Sequence, residues 1–149
     1  MPASLILGYG NPLRSDDGIG WKAAATIEQE LASPELLVIA AHQLTPELAD
    51  AVARCSRVLF LDAAQAGPPG EIRMERLCRD SQSQATAFTH QLSAPLLMEL
   101  SYRLFGAEPN ATLLTLAGEC FDLGECFSPA VDKAWDTFLN KARAWAQAL

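Results

Sequence analysis

The chain has 149 residues, the length of one domain able to bury a sizeable hydrophobic core. Half of the residues are hydrophobic and 19% are charged, which is typical of a globular protein with a buried sheet. The net charge of -7 and the pI near 4.7 argue against nucleic acid or an anionic membrane as a partner, because both favour a basic surface. A neutral or basic protein partner is compatible with this charge.

No apolar run approaches the roughly 20 residues that cross a bilayer, and residues 1–4 lack the basic segment of a signal peptide. We therefore expect a cytoplasmic protein. The four cysteines are spread along the chain, at Cys55, Cys78, Cys120 and Cys126. Because none of them forms a CxxC pair, the sequence predicts neither a zinc knuckle nor a dithiol redox motif, and reduced thiols are expected.

A strand, a loop and a helix are predicted first. Residues 5–9 form a short apolar run, which is typical of a strand buried on both faces. After a loop at 10–18, apolar residues recur at helical spacing from Ile19 to about Leu31. Asp16 and Asp17 directly precede this helix, where carboxylates often cap a helix N-terminus.

The rest of the chain continues this alternation. Further strands are predicted at residues 36–40, 58–61, 71–77 and 112–118, and further helices at 46–53, 92–105 and 129–148. The strict alternation within residues 71–77 predicts an edge strand with one exposed face. Taken as a single domain over residues 1–149, the pattern predicts a three-layer α/β/α sandwich with a mostly parallel, twisted five-stranded sheet.

Several polar side chains are expected at one edge of this sheet, because ligands of such folds bind beyond the carboxyl ends of the strands. The candidates are Asp16 and Asp17 after the first strand, His42 and Gln43 after the second, Asp62 at the end of the third, and His90 before a helix. Each also has a structural interpretation. The adjacent acids would cap a helix, Asp62 and Gln43 would bond loop amides, and the histidines would lie on the surface.

Carboxylates and an imidazole from three loops can ligate a divalent ion and leave coordination positions open for water or substrate. The imidazole favours nickel, zinc or copper over magnesium or calcium. No serine lies in a G-x-S-x-G context, and no cysteine lies in a protease signature. A nucleotide site at Gly8 and Gly10 is a weaker hypothesis, because Leu13 stands where the third glycine of the dinucleotide motif belongs.

The opening segment resembles a known family, the hydrogenase maturation endopeptidases that trim the C-terminus of [NiFe]-hydrogenase large subunits. Residues 7–20, LGYGNPLRSDDGIG, are similar to the opening signature of that family throughout, and Asp62 matches its second motif. Residues 90–93, HQLS, resemble its third, histidine-containing segment. Residues 42–48, HQLTPEL, resemble a segment typical of the members that serve bidirectional, NAD-linked hydrogenases.

The resemblance implies a peptidase in which Asp17, Asp62 and His90 are both the catalytic and the metal-contacting residues. They would contact nickel that is already inserted in the large-subunit precursor, and one peptide bond would then be hydrolysed to release the C-terminal extension. Asp17 stands where several members have glutamate, so Asp16 is an alternative ligand. Asp16, His42 and Gln43 are also assigned to the substrate-facing rim.

The implied metal is supplied by the substrate, since three ligands fit transient contact better than a permanent structural site. Zinc or cadmium are other ions that such a site accepts in a crystal. Two roles remain open: the metal activates a water, or an aspartate acts as general base while nickel reports occupancy. A nickel-sensing maturation chaperone that does not cut is the alternative function.

Overall fold

The strands and helices follow one another along the chain in the order that the sequence predicts. The computed structural model describes residues 2–80 and 92–148. Its strands are β1 (Ser4–Tyr9), β2 (Leu36–Ala41), β3 (Arg57–Ala64), β4 (Ile72–Leu77) and β5 (Asn110–Ala117). Its helices are α1 (Ile19–Leu31), α2 (Leu48–Ala53), α3 (Ala94–Phe105) and α4 (Pro129–Gln147), and a short 3-10 turn covers Ser15–Gly18.

The strands form one five-stranded sheet in the order β2-β1-β3-β5-β4. Strands β2, β1, β3 and β5 are parallel, and β4 is antiparallel to β5 at the edge. The carboxyl ends of the four parallel strands therefore meet at one edge of the sheet. The predicted fold class, a mostly parallel sheet between two helical layers, is confirmed.

The two faces of the sheet are covered by different helices. Along β1, Ile6 packs with α1 and α4, whereas Leu5 and Leu7 pack with α2 and α3. Along β3, Leu61 faces the first pair of helices and Phe60 the second. Both faces are apolar because successive side chains of a buried strand point to opposite sides. Within the described residues, no helix is long and apolar enough to cross a membrane.

The edge strand β4 differs from its prediction. Residues 73–76 are all exposed, with Met74 at 47% of its accessible surface, so the middle of the strand has two exposed faces and not one. Only Ile72 and Leu77, at its two ends, pack against the core. The alternating pattern was correct for a strand, but at the sheet edge both faces of its middle meet solvent.

Glycines allow β1 and the residue after it to approach α1 and the 3-10 turn closely. A side chain on Gly8 would collide with the carbonyl oxygen of Gly20, and one on Gly10 with that of Asp17. Gly10 also has a φ of +145°, which L-residues rarely adopt. Backbone packing therefore explains the two glycines that suggested a nucleotide loop.

Candidate active site

A cleft of about 480 Å³ opens at the carboxyl edge of the sheet, on the face covered by α2 and α3. Its lining consists of Tyr9, Gly10, Asp17, His42, Gln43, Asp62, Ala63, Gln65, Leu92, Ser93, Ala94, Pro95 and Leu113. The loops after β1 and β2, the end of β3 and the start of α3 all contribute. Two of these residues are acidic, and none of the described lining residues is lysine or arginine.

Asp62 lies near the C-terminal end of β3, two residues before the strand ends at Ala64. Its Oδ1 accepts a hydrogen bond of 2.8 Å from the N–H of Ala63. Burial raises the pKa of Asp62 to about 7, an effect that the Ala63 N–H and the Tyr9 hydroxyl oppose and that the charge of Asp17 reinforces. The amide that Asp62 bonds belongs to β3 and not to a loop, as had been expected, and the carboxyl group lines the cleft.

Asp17 is half-buried and lines the same cleft. Its Oδ2 accepts a hydrogen bond of 2.9 Å from the N–H of Asn11, which closes the loop after β1. This carboxylate does not cap α1, because the N-cap residue is Gly18 and no side chain bonds the first turn of the helix. The expectation that the adjacent acids cap the helix is therefore wrong.

Asp16 has a different position from its neighbour and no exposed surface. Its Oδ2 accepts hydrogen bonds from the N–H groups of Glu119 (2.8 Å) and Cys120 (3.0 Å) and from the hydroxyl of Ser128 (2.7 Å). Its Oδ1 accepts from the Ser128 N–H at 2.8 Å. Burial raises the pKa of Asp16, but these four donors outweigh it and hold the pKa below its ordinary value.

These bonds correct the two roles expected for Asp16. A fully buried carboxylate whose oxygens already accept four hydrogen bonds is not a substrate-facing residue, and as a metal ligand it would have to break them. Its function is to join the loop after β1 to the loop after β5. Ser15 strengthens the same junction, because its N–H donates to the Gly124 carbonyl and its hydroxyl to that of Asp122, both at 2.8 Å.

His42 and Gln43 lie at the rim of the cleft, and both are exposed. The ring of His42 is tilted against that of Trp21, with 6.1 Å between the ring centroids. His90 lies outside the described residues, so its place in the predicted metal site stays a prediction. Within residues 2–80 and 92–148, no group of three or more His, Cys, Asp or Glu side chains is arranged to hold a metal ion.

Tyr9 also belongs to the candidate site, although the sequence did not indicate it. It is the last residue of β1, it lines the cleft together with Asp62, and its hydroxyl lowers the pKa of the Asp62 carboxyl group. Burial and then the charge of Asp62 raise the pKa of Tyr9, which keeps the hydroxyl protonated. The only signal in the sequence is a polar atom at the end of an otherwise apolar strand.

Comparison with known proteins gives matches of structure and none of sequence. No protein-family model matches the chain, and no curated protein matches it. The [NiFe] hydrogenase maturation protease HycI from Thermococcus kodakarensis has a TM-score of 0.76 at 18% identity, over 97% of this chain and 92% of that one. The hydrogenase maturating endopeptidase HybD from E. coli has a TM-score of 0.74 at 22% identity, over 99% and 93%.

A hydrogenase 2 maturation peptidase from a thaumarchaeote also matches, with a TM-score of 0.71 at 21% identity, over 97% of this chain and 99% of that one. The chain has the fold of the hydrogenase maturation proteases. Its structural neighbours are thus the proteins that the opening segment resembles, and they share its architecture over almost their whole length.

We expect Asp16→Asn to lower the free energy of unfolding by about 2–3 kcal/mol. Both oxygens of Asp16 accept a hydrogen bond from a backbone N–H group. Whichever oxygen the asparagine replaces with NH₂, at least one buried N–H group therefore loses its acceptor. Urea denaturation near pH 7 measures the loss, and Asp136→Asn on the exposed side of α4 is the control, with an expected change within about 0.5 kcal/mol. A loss no larger than that of the control would contradict the structural role.

The stability difference between the wild type and Asp16→Asn should depend on pH. The folded-state pKa of Asp16 is lowered, so its contribution is fully present above the unfolded-state value, about 3.9, and is lost as the pH falls through the folded pKa. The difference in unfolding free energy between wild type and Asp16→Asn should shrink in acid. A constant difference down to pH 2 would contradict this.

We also expect Asp17→Asn to lower the pKa of Asp62 below its value of about 7. The negative charge of Asp17 disfavours ionisation of Asp62, and its removal favours the ionised form. Titration of the side-chain carboxyl carbons by NMR measures the midpoint, with Asp136→Asn as the control. An unchanged midpoint would mean that the two carboxylates do not interact.

Proposed function

We propose that the chain is an endopeptidase that removes the C-terminal extension of a [NiFe]-hydrogenase large-subunit precursor after nickel insertion. The observation that carries the proposal is the cleft in which Asp17 and Asp62 lie together, on a fold shared with the hydrogenase maturation proteases. The opening segment, LGYGNPLRSDDGIG, places the first of these acids in a motif that resembles the signature of the same enzymes.

The donor set of the cleft fits contact with a metal ion carried by the substrate. Asp17 and Asp62 repel one another in a partly desolvated site, and a cation between them would remove that repulsion. Two carboxylates, joined by an imidazole if His90 reaches the site, leave coordination positions for the ligands that the precursor already supplies. The nickel is therefore part of the substrate in this proposal and not a resident cofactor.

The shape and polarity of the cleft suit an extended peptide beside that metal. Its lining includes the apolar side chains of Leu92, Pro95 and Leu113 and the side-chain amides of Gln43 and Gln65. A bound nickel ion can polarise a carbonyl or a water. A carboxylate of the cleft can instead accept a proton from the attacking water, as in an aspartyl-type peptidase, and both routes use the same two acids.

The finer assignments follow the sequence resemblance. We propose a precursor of a bidirectional, NAD-linked hydrogenase as the substrate, because residues 42–48 resemble the segment typical of that subgroup. His42 and Gln43, which belong to this segment, lie at the rim of the cleft, where they would contact the precursor. We also propose that the reaction takes place in the cytoplasm.

We expect Asp17→Asn, Asp62→Asn and His90→Ala each to slow cleavage of a nickel-loaded precursor by about 100-fold or more. Asp17→Asn and Asp62→Asn keep the size and shape of the side chain, so the thermal unfolding temperature of these two variants should stay close to that of the wild type. The C-terminal mass loss of the precursor, followed by mass spectrometry, measures the rate, and Asp136→Asn is the control. Full activity of His90→Ala would exclude His90 from the proposed metal site and make His42 the candidate ligand.

A nickel-sensing chaperone is the second candidate function, because the same acids would read metal occupancy without hydrolysis. Incubation of the wild-type chain with nickel-loaded and nickel-free precursor separates the two. We expect mass loss only from the nickel-loaded form. Tight, nickel-dependent binding with no mass loss would contradict the peptidase and support the chaperone.

A further inference from the structure

Tyr9 and Asp62 are neighbours on adjacent strands. The parallel register of β1 and β3 pairs Gly8 with Leu61, which brings the next residue of each strand side by side on the face covered by α2 and α3. The ring of Tyr9 is half-buried and meets Phe60 edge-on, with centroids 6.5 Å apart and an interplanar angle of 81°. Strand pairing and ring packing together hold the phenol in place.

Packing alone does not explain the hydroxyl group of Tyr9. On this face of β1, Leu5 and Leu7 are fully buried apolar side chains, and Tyr9 alone carries a polar atom. That atom and the carboxylate of Asp62 line the same cleft from adjacent strands. The Oδ1 of Asp62 accepts a hydrogen bond from the N–H of Ala63 at 2.8 Å. The Ala63 N–H on β3 is one donor to this carboxyl group, and the Tyr9 hydroxyl on the adjacent strand β1 is placed to be a second that limits its rotation.

We propose that Tyr9 is a positioning residue, whose hydroxyl turns the Asp62 carboxyl group towards the substrate in the cleft. This inference rests on the proposed function, because it assumes that Asp62 acts on a metal-bearing peptide. Outer partners of a ligating carboxylate fix its orientation, and their removal typically costs 10–100-fold in affinity or activity. A phenol held by two strands is a rigid partner of this kind.

The chain provides a matched pair of variants. Tyr9→Phe keeps the ring and its contact with Phe60 and removes only the hydroxyl. Tyr102→Phe makes the same chemical change on α3, where the ring stacks with the guanidinium of Arg79 at 3.8 Å and does not line the cleft. These are the only two tyrosines of the sequence, so each variant reports on one hydroxyl.

The first measurement needs no substrate. In protein labelled with ¹³C at aspartate side chains, we expect Tyr9→Phe to shift the Asp62 carboxyl resonance and Tyr102→Phe to leave it unchanged. The thermal unfolding temperature of both variants should stay close to that of the wild type. An Asp62 resonance that is unchanged in Tyr9→Phe would overturn the inference. This outcome does not depend on whether the wild type is a peptidase.

The second measurement uses nickel-loaded precursor. We expect Tyr9→Phe to lower kcat/KM by about 10–100-fold, and to weaken precursor binding in the wild-type background but not in the Asp62→Asn background. Such coupling identifies a residue that acts through another, whereas a packing role would cost the same in both backgrounds. Equal losses in the two backgrounds, or wild-type activity of Tyr9→Phe, would overturn the positioning role.

Failure of the wild-type chain itself to cleave would overturn the proposed function alone, because the resonance comparison is independent of it.

Discussion

The arrangement of the cleft depends on one buried carboxylate. Asp16 accepts four hydrogen bonds from the segment 119–128 and so ties the loop after the first strand to the loop after the last. A buried charge is tolerated only when hydrogen bonds replace the water that it has lost, and here backbone N–H groups and a serine hydroxyl do so. Asp17 follows directly in the chain, and its place at the cleft is set by this junction.

The second constraint is the electrostatic balance around Asp62. Burial and the nearby Asp17 disfavour its charge, while Tyr9 and the Ala63 N–H favour it. A group balanced in this way responds strongly to any cation that enters the cleft, because the cation removes the repulsion between the acids. The proposed contact with substrate-borne nickel uses this balance, and it explains why two carboxylates are useful where neither lysine nor arginine is present among the described lining residues.

Much of the fold was predictable because hydrophobic periodicity and turn residues report local structure. The range of α1, the C-cap at Gly106 with its φ of +69°, and the buried central strands agree with the pattern. Strand ends were less accurate: β3 runs on past Asp62 to Ala64 because its pairing with β5 continues to Ala117. The exposure of both faces of β4 was also missed, since alternation alone does not tell how far the helical layers extend.

By itself, the sequence determined the alternating elements, the polar residues at the carboxyl ends of the strands, and a motif specific enough to name a family whose fold the chain shares. Only the tertiary structure decided what each acid does. Asp16 and Asp17 are adjacent in the chain and chemically identical, yet one is enclosed by donors from a segment a hundred residues away and the other faces the cleft. The sequence likewise did not indicate that Tyr9 lies beside Asp62, because their proximity depends on which strands pair and in what register. Such long-range pairings follow from packing of the whole chain, and no local pattern encodes them.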